Sequence, residues 1–175
     1  MARILIVYST TDGHTREICN RLREIIEQQA HQVTVVPVGE VADADLERHD
    51  TIVVGASIRY GKHNPRLVDF IERNAQALNR KASAFFSVSV VARKPEKSQP
   101  NTNPYVRRLL RRIAWRPREV GVFAGKIDYP RYGALDRLII RFIMLLTGGP
   151  TDPKSVVEFT DWRKVEEFGS LIARM

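Results

Sequence analysis

Along this chain, apolar runs of strand length alternate with stretches in which apolar residues recur every three or four positions. Arg3 to Ser9 is almost wholly apolar, which predicts a central strand buried on both faces, as in parallel sheets. From Thr15 to His31, Ile18, Leu22, Ile25 and Ile26 share one side of a helix, and Arg16, Glu17, Arg21, Arg23, Glu24 and Glu27 take the other. Gln32 to Val38 predicts a second strand, Asp43 to Arg48 a short polar helix and Thr51 to Ala56 a third strand. Pro65 suits the first turn of a helix running to Asn79, with Leu67, Val68, Phe70, Ile71 and Leu78 inward. Ala82 to Val91 and Glu119 to Tyr129 predict the fourth and fifth strands. A closing helix runs from Asp161, N-capped by Thr160, with Trp162, Val165, Phe168 and Ile172 as its apolar stripe.

Strands alternating with helices predict an α/β fold: a doubly wound, five-stranded parallel sheet of order 2-1-3-4-5 in a single domain over residues 1–175. Two segments interrupt the alternation, residues 92–118 after the fourth strand and 130–153 after the fifth. The first opens with a polar, proline-bearing loop and continues as a helix from Pro104, capped by Asn103. Tyr105, Val106, Leu109, Leu110 and Ile113 lie on one side of that helix, and Arg107, Arg108, Arg111 and Arg112 on the other. The second contains Ala134 to Thr147, in which ten of fourteen residues are apolar. Its polar stripe is narrow, formed by Asp136, Arg137 and Arg141. As a helix it would be about 21 Å long, short of the roughly 20 residues that span a bilayer, so it lies on a membrane surface or packs on the domain.

Composition changes this picture little, and charge changes it more. With 175 residues, 43% of them hydrophobic and 27% charged, the chain can bury a proper core, which excludes a disordered or multispanning protein. Cys19 is the single cysteine, so no internal disulfide can form and a reducing compartment is expected. Met1-Ala2-Arg3 followed by Ile4 to Val7 lacks the length and cleavage site of a signal peptide, so a cytoplasmic location is the expectation. Residues 92–118 hold nine basic side chains against Glu96 alone, so one segment carries the whole formal net charge of +8. Such a segment attracts phosphate backbone, acidic lipid headgroups or an anionic small substrate.

Two loops carry candidate chemistry. The first strand ends in Ser9-Thr10-Thr11-Asp12-Gly13-His14-Thr15 and passes straight into a helix, which sets hydroxyls and free N–H groups around a helix N-terminus, an anion site. A hydroxyl-capped turn without a ligand has the same sequence; neither common nucleotide-loop signature is present. The third strand ends in Ser57-Ile58-Arg59-Tyr60-Gly61-Lys62-His63. In a 2-1-3-4-5 sheet these two loops flank the topological switch point, where a phosphate on the first loop and a flat ring held by the second make an FMN site. Tyr60 is either a ring-stacking residue or an ordinary loop aromatic. His14, His31, His49 and His63 show no metal-ligand spacing and no acidic partner at a telling interval, so no metal is expected. Cys19, beside Ile18 in the first helix, reads as a buried inert thiol.

Ile6 to Thr15 resembles the flavodoxin phosphate-loop signature, departing at Ile18, where alanine is usual, and at Asp12, a carboxylate expected to point outward or cap the helix. Longer runs resemble the bacterial quinone-dependent protoporphyrinogen oxidase family, a flavodoxin-like family of haem biosynthesis: Ser57 to Gly61, Ser87 to Lys97, Trp115-Arg116-Pro117, Tyr129 to Tyr132 and Gly148 to Asp152. The resemblance covers essentially the whole chain. It implies an FMN enzyme, peripheral on the cytoplasmic face of the inner membrane, that oxidises protoporphyrinogen IX to protoporphyrin IX by hydride-equivalent transfer to the flavin. Six electrons in all pass to menaquinone or ubiquinone. It implies Thr10, Thr11, Asp12, Gly13, His14 and Thr15 around the phosphate, Ser57, Ile58, Arg59, Tyr60 and Gly61 at the ring system, and Val90, Val91, Ala92 and Arg93 at the end of the fourth strand. Arg59 is the candidate charge near flavin or substrate. Arg107, Arg108, Arg111, Arg112, Arg137 and Arg141 are candidate contacts to substrate carboxylates or to an anionic membrane surface.

Rival readings are an electron-carrier flavodoxin or an NAD(P)H-quinone reductase on the same fold, and a non-enzymatic nucleic-acid module built on the arginine helix. Carrier flavodoxins are commonly acidic, against the basic charge here, and no nucleic-acid partner is expected. Homo-oligomerisation is left open.

Overall fold

A computed structural model describes residues 1–175. Its central sheet contains β1 (Arg3–Tyr8), β2 (Gln32–Pro37), β3 (Thr51–Arg59), β5 (Ala82–Ser89) and β6 (Glu119–Ala124), all parallel in the order β2-β1-β3-β5-β6. This is the expected 2-1-3-4-5 arrangement. Two features extend it. A two-residue strand, β4 (Lys62–His63), folds back antiparallel onto the end of β3, and β7 (Lys126–Asp128) leaves the sheet to pair antiparallel with β8 (Val156–Glu158).

Alternation along the buried strands divides the core between the two faces of the sheet. Leu5, Val7, Ile52, Val54 and Phe85 point to one side and meet Leu67, Phe70 and Ile71 of α3 (Pro65–Arg73) and Val106 and Leu109 of α5 (Pro104–Arg112). Ile4, Ile6, Val53, Ala84 and Phe86 point to the other and meet Ile18, Leu22 and Ile26 of α1 (His14–Glu27) and Val165, Phe168 and Ile172 of α7 (Trp162–Ile172). Parallel neighbours need a crossover, and α5 supplies the one between β5 and β6. The basic segment is therefore an integral covering helix rather than an addition to the fold. Asn103 caps it as expected, its Oδ1 accepting from the N–H groups of Tyr105 (3.1 Å) and Val106 (3.2 Å).

Several boundaries differ from the sequence expectation, each for a local reason. The helix from Pro65 breaks at Asn74, whose side chain donates back to the Phe70 carbonyl at 2.9 Å, and restarts as α4 (Ala75–Arg80). The fifth strand breaks at Gly125, whose carbonyl accepts from Phe159 N–H at 3.0 Å and so brings β8 beside β7. Asp161 caps α7, accepting from Arg163 N–H at 3.1 Å, while the Thr160 hydroxyl donates to the Ala124 carbonyl at 2.8 Å. A short polar helix, α2 (Asp43–Arg48), stands where expected, and α6 (Ala134–Thr147) spans the connection from β7 to β8 over a small cluster of Ile127, Tyr129, Tyr132 and Met144.

Candidate functional site

The carboxyl ends of β1, β3 and β5 open on the same edge of the sheet. At β1 the loop is fastened to β3 by Ser9 N–H, which donates to the Gly55 carbonyl at 2.9 Å. Thr10 Oγ1 accepts from Gly13 N–H at 3.0 Å. Gly13 then enters α1 at φ 89°, a left-handed backbone that an L side chain rarely adopts. The backbone N–H groups of Thr11, Asp12, His14, Thr15 and Arg16 have no acceptor within the chain. Five amides converging on a helix N-terminus make an anion cradle, with the partial positive charge of the helix dipole behind it. Thr15 is buried beneath it and Thr11 is exposed at its rim.

His14 serves the cradle through its backbone only. Its ring turns away, with Nδ1 3.1 Å from Glu17 Oε2, Nε2 2.6 Å from Thr160 Oγ1, and the Trp162 ring edge-on at 6.0 Å. Glu17, one helical turn along, is thus an acidic partner that the spacing did not single out.

The end of β3 is a hairpin rather than a loop. Ile58 pairs with His63 and Arg59 with Lys62, joined by Tyr60 (φ 49°) and Gly61 (φ 74°), two left-handed residues in a tight two-residue turn. Tyr60 is 47% exposed and holds a backbone conformation disfavoured for a bulky side chain, of the kind kept where surroundings impose it. The imposing contacts are electrostatic. Arg59 donates from Nη1 to Asp12 Oδ2 and from Nη2 to Asp136 Oδ2 of α6, each at 2.9 Å, and the Tyr60 hydroxyl donates to Asp136 Oδ1. The Arg59 guanidinium also lies 5.3 Å from the Tyr60 ring centre and 5.2 Å from that of Tyr132. Burial opposes its charge, but Asp12 and then Asp136 outweigh that and raise its pKa above the ordinary arginine value. Asp136 is held below the usual carboxylate range by the Tyr60 hydroxyl and then by Arg59. Asp12 is accordingly turned inward and neutralised, where the sequence suggested an outward or capping carboxylate.

Between the strand ends lies a cavity of ≈ 210 Å³. Asp12, Ile58, Arg59, Tyr60, Gly61, Val90, Val91 and Arg93 line it, so residues of three predicted loops do come together. Ser57 stays in the sheet opposite Val88, and the Ala92 side chain is buried in the core below, within the 3-10 turn Val90–Arg93. Arg93 is a wall, donating to the carbonyls of Val90 (3.1 Å) and Thr147 (3.0 Å), which ties the β5 end to the last turn of α6. Ser89, Tyr105, Lys126, Ile127, Tyr132, Ile140, Ile143, Met144 and Thr147 complete the lining without having been singled out as site residues. The apolar density of residues 134–147 was the available signal for four of them.

Helix α6 is the roof of this cavity and an apolar surface at once. Ile140, Ile143 and Met144 face the cavity, while Leu135, Leu138, Phe142, Leu145 and Leu146 face outward, between 61% and 70% exposed. Arg137 and Arg141, expected to reach substrate or membrane, make hydrogen bonds that secure the roof. Arg137 donates to the carbonyls of Tyr129 and Tyr132 at 3.2 Å each, and Arg141 to that of Thr151 at 2.8 Å. Arg137 is thereby half-buried beneath the helix, whereas Arg141 stays exposed at the edge of the outer face. Arg107, Arg108, Arg111 and Arg112 remain exposed along α5, with only Arg112 in an ion pair, to Glu72 at 3.2 Å.

Two hydroxyls stand out at the strand ends: Ser9 Oγ and Ser89 Oγ are buried without a hydrogen-bond partner. Buried hydroxyls are rarely left so, because the lost hydration costs about 1–3 kcal/mol. Together with the amide cradle they fit a ligand with a phosphate tail and a polar-edged ring. A sequence model of the flavodoxin domain matches residues 5–154.

The chain belongs to the flavodoxin family.

As a flavodoxin-family protein it binds FMN, and its residues suit that group: the amides of residues 11–16 and Thr15 for the phosphate, the β3 and β5 ends for the ring. Protoporphyrinogen IX dehydrogenase [quinone] from Escherichia coli (strain K12) is 42% identical over 173 residues, 99% of this chain and 96% of that protein. The protein of the same name from Leishmania major is 38% identical over 174 residues, 99% of this chain and 75% of that one. This flavodoxin-family chain thus groups with the quinone-linked protoporphyrinogen IX dehydrogenases. Two-electron reduced flavodoxin from Megasphaera elsdenii superposes with a TM-score of 0.60 at 13% identity, covering 98% of this chain and 99% of that one, a likeness of fold.

Proposed function

We propose that this protein oxidises protoporphyrinogen IX to protoporphyrin IX through bound FMN and passes the electrons to a membrane quinone. The observation that carries the reading is the end-to-end match at 42% identity, which runs through both segments that interrupt the alternation, residues 92–118 and 130–153. The cavity agrees with it: a ring site roofed by Ile140, Ile143 and Met144 suits apolar reactants better than a nicotinamide nucleotide.

Bound FMN supplies a two-electron couple between a reductant and an oxidant. The chain's own residues do the rest. The free amides of the first loop hold the phosphate dianion, and Arg59 cancels Asp12, whose carboxylate would otherwise repel it. Ser89, whose unpartnered hydroxyl belongs to the cavity lining, would hydrogen-bond a polar edge of the bound ring. The α6 roof, tied down by Arg59–Asp136, Arg93–Thr147 and Arg137, covers one side of the ring site with apolar side chains. Overall, protoporphyrinogen loses six hydrogens and three quinones become hydroquinones, so every turnover can be counted in porphyrin fluorescence. FMN-loaded protein with quinone should turn colourless porphyrinogen fluorescent. Protein that reduces quinone with NADPH but leaves porphyrinogen untouched would overturn the reading in favour of an NAD(P)H-quinone reductase.

The protein's place is, on the same reading, the cytoplasmic face of the inner membrane, with menaquinone or ubiquinone as acceptor. No helix is long and apolar enough to cross a membrane. The outward face of α6 supports surface attachment: five large apolar side chains in a row, set beside exposed Arg131 and Arg141, match the interfacial mode in which an apolar stripe enters the headgroup boundary. Leu138→Glu with Phe142→Glu should abolish co-sedimentation with anionic vesicles while flavin content stays normal. Undiminished vesicle binding would remove α6 from that role.

A further inference from the structure

Beside the roofed cavity lies a second one of ≈ 330 Å³, walled by the β3–β4 hairpin, α3 and α5. The two share Gly61 and Tyr105, so the second begins where the first opens. Their linings are chemically unlike. Lys62, Arg108 and Arg112 supply three cations to the second cavity against one carboxylate, Asp69, and His63 stands at its base. Neither Lys62 nor Arg108 makes an ion pair, whereas Arg112 is engaged with Glu72. From there the basic surface continues without interruption, because Arg108 and Arg112 also border an open groove with Arg107 and Arg111 and no hydrophobic lining.

An apolar ring site adjoined by unpaired cations is complementary to a flat apolar molecule with anionic arms. Resting on the function proposed above, we infer that the groove between Lys62 and Arg108 is the subsite for the propionate carboxylates of the porphyrinogen. The macrocycle is larger than the ≈ 210 Å³ cavity and lies across its mouth against Tyr60, Gly61 and Tyr105, and its propionate edge points along α5. Carboxylates there take charge-assisted hydrogen bonds from a guanidinium fork and an ammonium already committed to this face and to no other partner. The hairpin thus does two things in four residues: Arg59 and Tyr60 secure the roof, and Gly61 and Lys62 pass the substrate's edge into the groove. Substrate choice follows, since a tetrapyrrole with its carboxylates esterified loses this interaction while keeping its ring contacts.

The test uses FMN-loaded holoenzyme. Lys62→Gln with Arg108→Gln should raise the KM for protoporphyrinogen IX at least tenfold with a smaller effect on kcat, and should weaken binding of fluorescent protoporphyrin IX by a similar factor. Binding of its dimethyl ester should be unchanged, and Lys62→Arg with Arg108→Lys should restore both constants towards wild type. Unchanged constants, or equal losses for acid and ester, would overturn the subsite while leaving the proposed activity standing. A variant that instead loses affinity for phosphatidylglycerol vesicles with normal KM would also overturn it, in favour of headgroup contact. Wild-type holoenzyme that cannot oxidise porphyrinogen at all would refute the parent reading, a result visible before any variant is made.

Discussion

Ser89→Ala should make the FMN-free protein more stable and its flavin binding weaker, an opposed pair of effects that follows from one unpartnered hydroxyl. Ser89 ends β5, is 5% exposed, and its Oγ has no partner although its carbonyl accepts from Gly125 N–H at 3.1 Å. Burying that hydroxyl unsatisfied costs about 1–3 kcal/mol, which alanine removes with little change in volume. For a domain of this size each kcal/mol moves Tm by roughly 2–4 °C. Wild-type protein recovers the same energy only when a ligand engages the hydroxyl, so alanine should weaken FMN binding by up to that amount, about 5- to 150-fold in Kd. Thermal melts with and without FMN, together with titration of flavin fluorescence, measure both sides. Ser87→Ala is the contrast: Ser87 Oγ lies 3.1 Å from His63 Nε2, so its removal should destabilise the FMN-free protein. A Ser89→Ala protein with unchanged Tm, or with a Kd within twofold of wild type, would refute the placement of the flavin against this hydroxyl.

Gly13→Ala meets no atom within 4 Å of the new Cβ, so its cost is the left-handed backbone alone, about 1–2 kcal/mol by urea unfolding, with a loss of FMN affinity as the cradle relaxes. Asp136→Asn removes the charge that joins Arg59 to α6, and hydrogen exchange should quicken across residues 134–147 while the sheet stays protected. Burial pushes the His63 imidazole from its ordinary 6.5 down to about 4, so as pH falls the unfolded chain takes up the proton first. The stability this represents is complete above about pH 6.5 and is lost progressively down to pH 4, up to about 3 kcal/mol, a slope that His63→Gln should flatten in denaturation measured across that range.

Much of the fold was legible along the chain because the signals are local. A strand buried on both faces must be apolar or small along most of its length, and β1, β3 and β5 are; a helix covering the sheet must repeat every three or four residues, and α1 and α7 do. The first loop was legible as a candidate for the same reason: hydroxyls, a glycine and a helix start fall within seven residues. The misreadings lie where a distant partner decides. Strand five stops at Gly125 because Phe159 reaches back to it, and Thr160 forgoes capping because Ala124 offers its hydroxyl a carbonyl.

The sequence by itself determined the five strands of the central sheet, their order and a loop of hydroxyls at a helix start, since periodicity and turn chemistry act over a few residues. It also determined that 134–147 is a helix too short to span a bilayer. Only the tertiary structure decided what that helix does. Its inner and outer faces are both apolar, so the pattern cannot say which is covered, and the choice is made by the Arg59–Asp136 pair, 77 residues apart, and by the arginines drawn to carbonyls of Tyr129, Tyr132 and Thr151. Likewise nothing local distinguishes the free cations Lys62 and Arg108 from solvated ones. They form a groove because a two-residue turn sets the end of β3 against α5. Long-range electrostatic contacts leave no period in a sequence, and they are what turned a flavodoxin-like sheet into a roofed site with a charged doorway.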